Sequence, residues 1–248
     1  MDIKPVKVAV AICLKGHTPP KSYHDRMLMA FSMGNKEMEQ RLHGTAPLYE
    51  FNWFTAGEIF VPYARDTLAK ASLDHGCDYL FMVDDDMLAP FDLFYQLVKH
   101  DKDIVAPLAF TRNPPHNPVA YFIDEGWDPA MKSQYIKNIP IMNYPRDSLF
   151  RCDAVGFGAV LIKSSVLKGI QAPRFMSTSP TGEDILFCYK AREQGFQVWM
   201  DSSIKLGHLS DSLVVTEEYR DQFAKMGPKD WENKYGKYTT YPTLEATR

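Results

Sequence analysis

Several things are scarce or missing in this chain. Cysteine occurs four times in 248 residues, at Cys13, Cys77, Cys152 and Cys188, with no C-x-x-C pair. That spacing speaks against a disulfide framework or a zinc site and fits reduced, mostly buried thiols. No run of Lys or Arg exceeds two residues and the net charge is −3, which argues against a dedicated nucleic-acid surface. No apolar stretch is long enough to span a bilayer. The first one, Val6 to Leu14, is short, interrupted by Lys7 and preceded by Asp2, so it reads as a strand rather than a signal peptide. A cytoplasmic protein without a transmembrane segment is the expectation. There is no Walker A sequence. Gly156-Phe157-Gly158 lacks the spacing of a dinucleotide fingerprint and precedes a strand, not a helix. Internal repeats, low-complexity tracts and a clear domain linker are missing too. What remains, 45% hydrophobic and 24% charged, is the composition of a globular protein and excludes general disorder.

Strand-like and helix-like segments alternate through the first half. Val6–Cys13 reads as a strand and Ser22 to about Leu42 as a Met-rich helix. Leu48–Phe54 is a second strand, ended by Thr55-Ala56-Gly57. Pro62 opens a helix to about Leu73, with Ala64, Leu68 and Ala71 on one face and an Asp66–Lys70 pair on the other. Asp78–Val83 is a third strand, Pro90–Lys99 a helix and Ile104–Ala109 a further buried strand. This order predicts an α/β fold with a mostly parallel sheet and right-handed crossovers. Residues 111 to 118 form a proline-rich loop. Val119–Ile123 and a stretch near Ser133–Lys137 look like short antiparallel strands. Arg151–Val155 leads through Gly156-Phe157-Gly158 into the strand Ala159–Ile162. A helix follows Gly182 to about Gln194, with Gly195 at its C-cap. Phe196–Met200 is a strand, Gly207-His208 follows an extended segment, and two surface helices and a tail run from Thr216.

The most informative feature is Asp84-Asp85-Asp86, directly after the apolar run Tyr79-Leu80-Phe81-Met82-Val83. Such a run marks a strand buried on both faces. Three carboxylates at its C-terminal end repel one another and lose solvation unless something positive sits there. Ligands of open α/β sheets bind outside the carboxyl ends of the strands. Hard oxygen donors in that place suit Mg²⁺ or Mn²⁺ and a phosphorylated ligand. The plainer alternative is an acidic turn that caps a helix opened by Pro90.

Glu183-Asp184 behind Gly182 is a second such unit. Carboxylates at a helix N-terminus are favoured by the dipole, and one of them could also take a proton from an acceptor hydroxyl. His208 is a packed residue or, near the aspartates, a ligand for Mn²⁺. Arg65 lies in the first turn of its helix, against the dipole, so Asp66 and other local acids or a ligand phosphate must compensate it.

Taken in order, these segments resemble the GT-A glycosyltransferases, particularly bacterial and phage proteins near family 2. The resemblance runs from Val6 to about His208. It rests on ARDTLAKASLDHGCDYLFMVDDDMLAP (Ala64–Pro90), VGFGAVLI (Val155–Ile162), GEDILFCYKAREQGFQVW (Gly182–Trp199) and LGH (Leu206–His208). It implies a GT-A type, Rossmann-like sheet flanked by helices with a small antiparallel sheet on the acceptor side. It implies a single domain over residues 1–236, with a nucleotide-sugar-binding half at 1–110, an acceptor half at 111–210, and a tail at 237–248. The activity implied is transfer of a sugar from a nucleotide-diphosphate sugar, a UDP-sugar foremost, to an acceptor hydroxyl with Mn²⁺ or Mg²⁺ as cofactor. By the same resemblance, Asp84, Asp86 and His208 are metal ligands, and Arg65, Asp84, Asp85 and Gly158 face the donor. Asp184, with Glu183, is the catalytic base of an inverting reaction. The acceptor is left open among a glycan, a lipid-linked molecule, a small molecule and a modified nucleic acid. Tyr121, Trp127 and the 111–118 loop either shape its site or cover the open side of the sheet. One departure is that many relatives read uracil with an acidic residue where this chain has Thr55-Ala56-Gly57-Glu58. A nucleotidyltransferase and a non-catalytic nucleotide-sugar or cation-binding module stand as alternatives.

Overall fold

Uninterrupted apolar runs become the centre of one sheet. The computed structural model describes residues 4–14, 20–42, 48–57, 59–128, 132–177, 181–210, 213–226 and 230. The strands are β1 (Val6–Leu14), β2 (Tyr49–Gly57), β3 (Tyr79–Asp84), β4 (Met87–Leu88), β5 (Ile104–Leu108), β6 (Ala120–Asp128), β7 (Ser133–Pro140), β8 (Leu149–Cys152), β9 (Ala154–Val155), β10 (Ala159–Lys163), β11 (Val198–Lys205), β12 (Gly207–Leu209) and β13 (Val214–Val215). The helices are α1 (Pro20–Leu42), α2 (Val61–Asp74), α3 (Leu93–Val98), α4 (Ser164–Gly169), α5 (Glu183–Glu193) and α6 (Glu217–Ala224).

Seven strands form the main sheet in the order β2-β1-β3-β10-β5-β11-β8. β1 pairs in parallel with β2 and β3, and β5 with β11. β10 runs antiparallel between β3 and β5, and β8 runs antiparallel to β11 at the edge. Five strands therefore point one way, and the mostly parallel sheet expected from the alternation is present. Two small antiparallel sheets accompany it, β7-β6-β9 and β13-β12-β4.

Side chains of β3 alternate between two apolar layers, as the two-residue period of a strand requires. Leu80 and Met82 join a cluster with Leu68 of α2 and Ile185 and Phe187 of α5. Phe81 and Val83 join the opposite cluster with Met29 and Met33 of α1 and Phe94 of α3. Burying one such side chain contributes about 1.5–3 kcal/mol, so the strand that carries the aspartates is anchored from both faces. α5 ends in a Schellman motif. Gly195 (φ +86°) donates to Arg192 O at 2.8 Å and Phe196 donates to Ala191 O at 3.1 Å. The four cysteines are free and buried. No helix among the described residues is long and apolar enough to cross a membrane.

Three local expectations need correcting. The helix expected from Pro90 begins at Leu93, because residues 84–88 are used in the acidic turn and β4, and the Pro90 carbonyl accepts from Leu93 N–H. The Asp66–Lys70 pair is not formed. Asp66 Oδ1 accepts from the backbone N–H of Arg174 (2.7 Å) and Phe175 (3.4 Å), and Lys70 pairs with Asp74 instead. Backbone donors away from water need an acceptor, whereas a solvated helix pair is worth little. β2 does not stop at Thr55-Ala56-Gly57 but runs through it, held in register to Leu14–Gly57 by β1. The second surface helix and the tail expected after α6 fall at residues 227–248, which apart from residue 230 lie outside the described residues.

Candidate active site

The aspartates open at the C-terminal end of β3, where the sheet topology puts a ligand crevice. Asp84 donates its N–H to Gly158 O at 2.8 Å, which ties the turn after β3 to the turn before β10. Gly158 packs closely there: a Cβ would lie 2.9 Å from Met87 Cε, so the end of that side chain would have to shift. β12 pairs antiparallel with β4, His208 opposite Met87, and Leu209 N–H donates to Asp86 O at 2.9 Å. In this way His208, far away in sequence, is stitched onto the acidic turn. The turn caps no helix, since α3 starts beyond it and is preceded by Asp92. The capping alternative therefore falls.

The charge that three carboxylates demand is supplied by three arginines. Arg65 of α2 is 4% exposed. Its Nη2 reaches both Asp84 oxygens at 3.1 Å and Phe157 O at 3.2 Å, and its Nη1 donates to Glu183 Oε1 at 2.7 Å. Burial opposes its charge, but Asp84, Asp184 and Glu183 outweigh burial and raise its pKa further. Arg65 is thus compensated by carboxylates of the site and not by Asp66. Arg26 of α1 is also buried. Desolvation lowers its pKa, against the opposing pull of Asp85 and Asp86. Arg112, from the loop after β5, pairs with Asp86 Oδ2. Sequence reasoning passed over Arg26 and Arg112. The one signal for them was the need to neutralise the triplet, which says how much charge is required but not where it comes from.

His208 Nδ1 lies 2.7 Å from Phe110 O. A carbonyl only accepts, so Nδ1 carries the proton, and Nε2 faces Asp86 Oδ2, 3.5 Å away. Among the described residues no group of three or more His, Cys, Asp and Glu is arranged as a metal cage. Asp84 faces Arg65, while Asp86 and His208 remain as a donor pair. A hard carboxylate oxygen beside an imidazole nitrogen is a donor set that fits Mn²⁺.

Asp84, Arg112, Gly158 and His208 line a cavity of about 520 Å³ together with Tyr121, Glu183 and Asp184. Asp184 lies in the first turn of α5 and its Oδ1 accepts from Ile185 N–H at 2.8 Å. Desolvation raises its pKa; Arg65 opposes this and Glu183 adds to it. Tyr121 is buried on the cavity wall, and its pKa is raised by burial and by the nearby Asp184. Trp127 stands 59% exposed on β6 and does not line this cavity. Thr55 to Gly57 lie in β2, and Glu58 is outside the described residues.

No protein-family model matches the sequence, and no curated protein matches it. Solved structures match the fold. A crystal structure of A197 from STIV overlaps with a TM-score of 0.54 over 86% of this chain and 92% of that one, at 17% identity. GalNAc-T7, solved with UDP, GalNAc and Mn²⁺, overlaps with a TM-score of 0.50 at 12% identity. That overlap covers 83% of this chain and 43% of GalNAc-T7, so the chain spans less than half of that relative's length. The chain has a glycosyltransferase fold of the GT-A type.

Proposed function

We propose that this chain is a metal-dependent glycosyltransferase that moves a sugar from a nucleotide-diphosphate sugar, a UDP-sugar foremost, to an acceptor hydroxyl with inversion, working in the cytoplasm. The observation that carries the reading is convergence. One cavity in a GT-A fold is lined by Asp84, His208 and the Glu183–Asp184 pair, and Asp86 lies behind it, 3.5 Å from His208 Nε2. The Mn²⁺ and UDP held by the overlapping GalNAc-T7 structure support the choice of cofactor and donor.

Asp86 and His208 would hold Mn²⁺, which when bound stabilises the charge of a leaving diphosphate. Arg65, Asp84, Asp85 and Gly158 form the donor side, where the absence of a side chain at 158 leaves room against the turn. The two carboxylates of α5 divide their work. Glu183 is tied to Arg65 at 2.7 Å and fixes that guanidinium under the site. Asp184 is the base: its elevated pKa makes it a better proton acceptor than a solvated aspartate, and it is still ionised above that pKa. It draws the proton from the acceptor hydroxyl on the side of the sugar opposite the diphosphate. Tyr121 gives the acceptor a flat wall next to it. In this reading one domain over residues 1–236 carries the site, with Arg65, Asp84 and Asp85 of the donor side in residues 1–110, and Gly158 and the acceptor side in 111–210.

The first test is a thermal-shift titration with nucleotide diphosphates and their sugars, with and without Mn²⁺. A metal-dependent shift for one nucleotide, lost in Asp86→Ala, supports the reading. Asp184→Asn should then lower transfer by about 10²–10⁴-fold while donor binding stays close to wild type. Lost donor affinity in that variant would sink the assigned role. Ligand binding with no product from the wild-type chain would favour the non-catalytic module.

A further inference from the structure

The three arginines around the acidic turn are not equivalent. Arg65 and Arg26 are 4% and 7% exposed, and Arg65 divides its donors among Asp84, Glu183 and Phe157 O. The Arg112 side chain is 37% exposed, and among the described residues Asp86 is its one side-chain partner. It lines the cavity from a loop whose base is fixed. Thr111 N–H donates to Asn117 O at 2.9 Å and Val119 N–H to Ala109 O at 3.0 Å. The His116 ring packs edge-on against Tyr219 and Phe223 at 5.4 and 4.8 Å, which binds the loop to α6. The guanidinium can therefore swing by side-chain rotation while the loop stays in place. The oxygen it holds, Asp86 Oδ2, is the one that His208 Nε2 faces at 3.5 Å. A guanidinium and a divalent ion on that oxygen repel each other, so one must give way.

We propose that Arg112 is an exchangeable counter-ion: it holds Asp86 while no divalent ion is bound, and when displaced it takes the diphosphate of the donor. The proposal rests on the nucleotide-sugar reading above. A metal ion arriving alone must evict a cation that gains nothing elsewhere. When a nucleotide diphosphate arrives as well, the freed guanidinium meets phosphate oxygens, which its planar fork fits. Mn²⁺ and nucleotide are then coupled through Arg112, each raising affinity for the other by the same factor.

Calorimetric titration of Mn²⁺ and of UDP, each alone and in the presence of the other, tests this in wild type, Arg112→Gln and Arg112→Lys. Arg112→Gln should bind Mn²⁺ alone about tenfold more tightly and bind UDP with Mn²⁺ more weakly, so that the coupling factor collapses. Arg112→Lys should keep part of the coupling, as a point charge without the fork. Unchanged Mn²⁺ affinity and coupling in Arg112→Gln, or weaker binding of Mn²⁺ alone, overturns the exchange and leaves the nucleotide-sugar reading standing. A wild-type chain that takes up neither Mn²⁺ nor UDP overturns that reading and the exchange with it.

Discussion

On one side of the acidic turn, Arg65 is sealed between Asp84, Glu183 and a backbone carbonyl. On the other side, Arg112 meets Asp86 with its side chain partly in water. The residue types are the same and the carboxylates are two positions apart, yet the physics differs. A buried pair is costly to form and very costly to break, because removing one partner strands a desolvated charge. In the second pair only Asp86 is buried: the Arg112 side chain is 37% exposed, so water and ions can replace its contact while Arg26 still opposes the charge of Asp86. Burial, more than the identity of the pair, decides which contact belongs to the framework and which can be exchanged for a ligand.

The comparison is easiest to break from the buried side. Arg65→Met should cost about 3–5 kcal/mol of stability in urea denaturation, and adding Asp84→Asn should recover part of it. A loss below 1 kcal/mol would show that Arg65 is not framework. Asp184→Asn should give a smaller effect of opposite sign. Asp184 has a raised pKa in the folded chain, so its ionised form weakens the fold at neutral pH, and this penalty fades as pH falls from the folded-state pKa to the unfolded one. The variant should therefore be more stable than wild type near pH 7, and the gap should close on acidification. A gap that widens at low pH would contradict the sign. The smallest effect belongs to Arg112→Gln, which should shift the metal-free stability by less than about 1 kcal/mol. A loss as large as that of Arg65→Met would erase the distinction.

The parts of this molecule legible in the sequence were those carried by periodicity and by local crowding of charge. The run Tyr79–Val83 announced a doubly buried strand, and three adjacent aspartates announced a candidate site at its end. Glu183, Asp184 and His208 were legible as candidates through order and spacing, and they line the same cavity. Strand direction was less legible, since an apolar run such as Ala159–Lys163 looks the same parallel or antiparallel. Its place between β3 and β5 follows from tertiary packing. Nothing local marks Arg112 in a proline-rich loop or Arg26 in a Met-rich helix as partners of the triplet. Pro90 misled because the two-residue strand β4, too short to show a period, took the residues in front of it.

The pairing of β4 with β12 has a consequence for how the chain is made. The acidic turn leaves the ribosome long before Gly207–Leu209, and at roughly 5–20 residues per second it waits on the order of 10 s for His208. Throughout that interval the apolar strand Tyr79–Val83 ends in a block of three like charges. Charges flanking an apolar segment oppose association of unfinished chains, and the three aspartates stand in that position. The same carboxylates proposed to serve the donor site of the mature protein thus flank its exposed apolar strand while the chain is still being made.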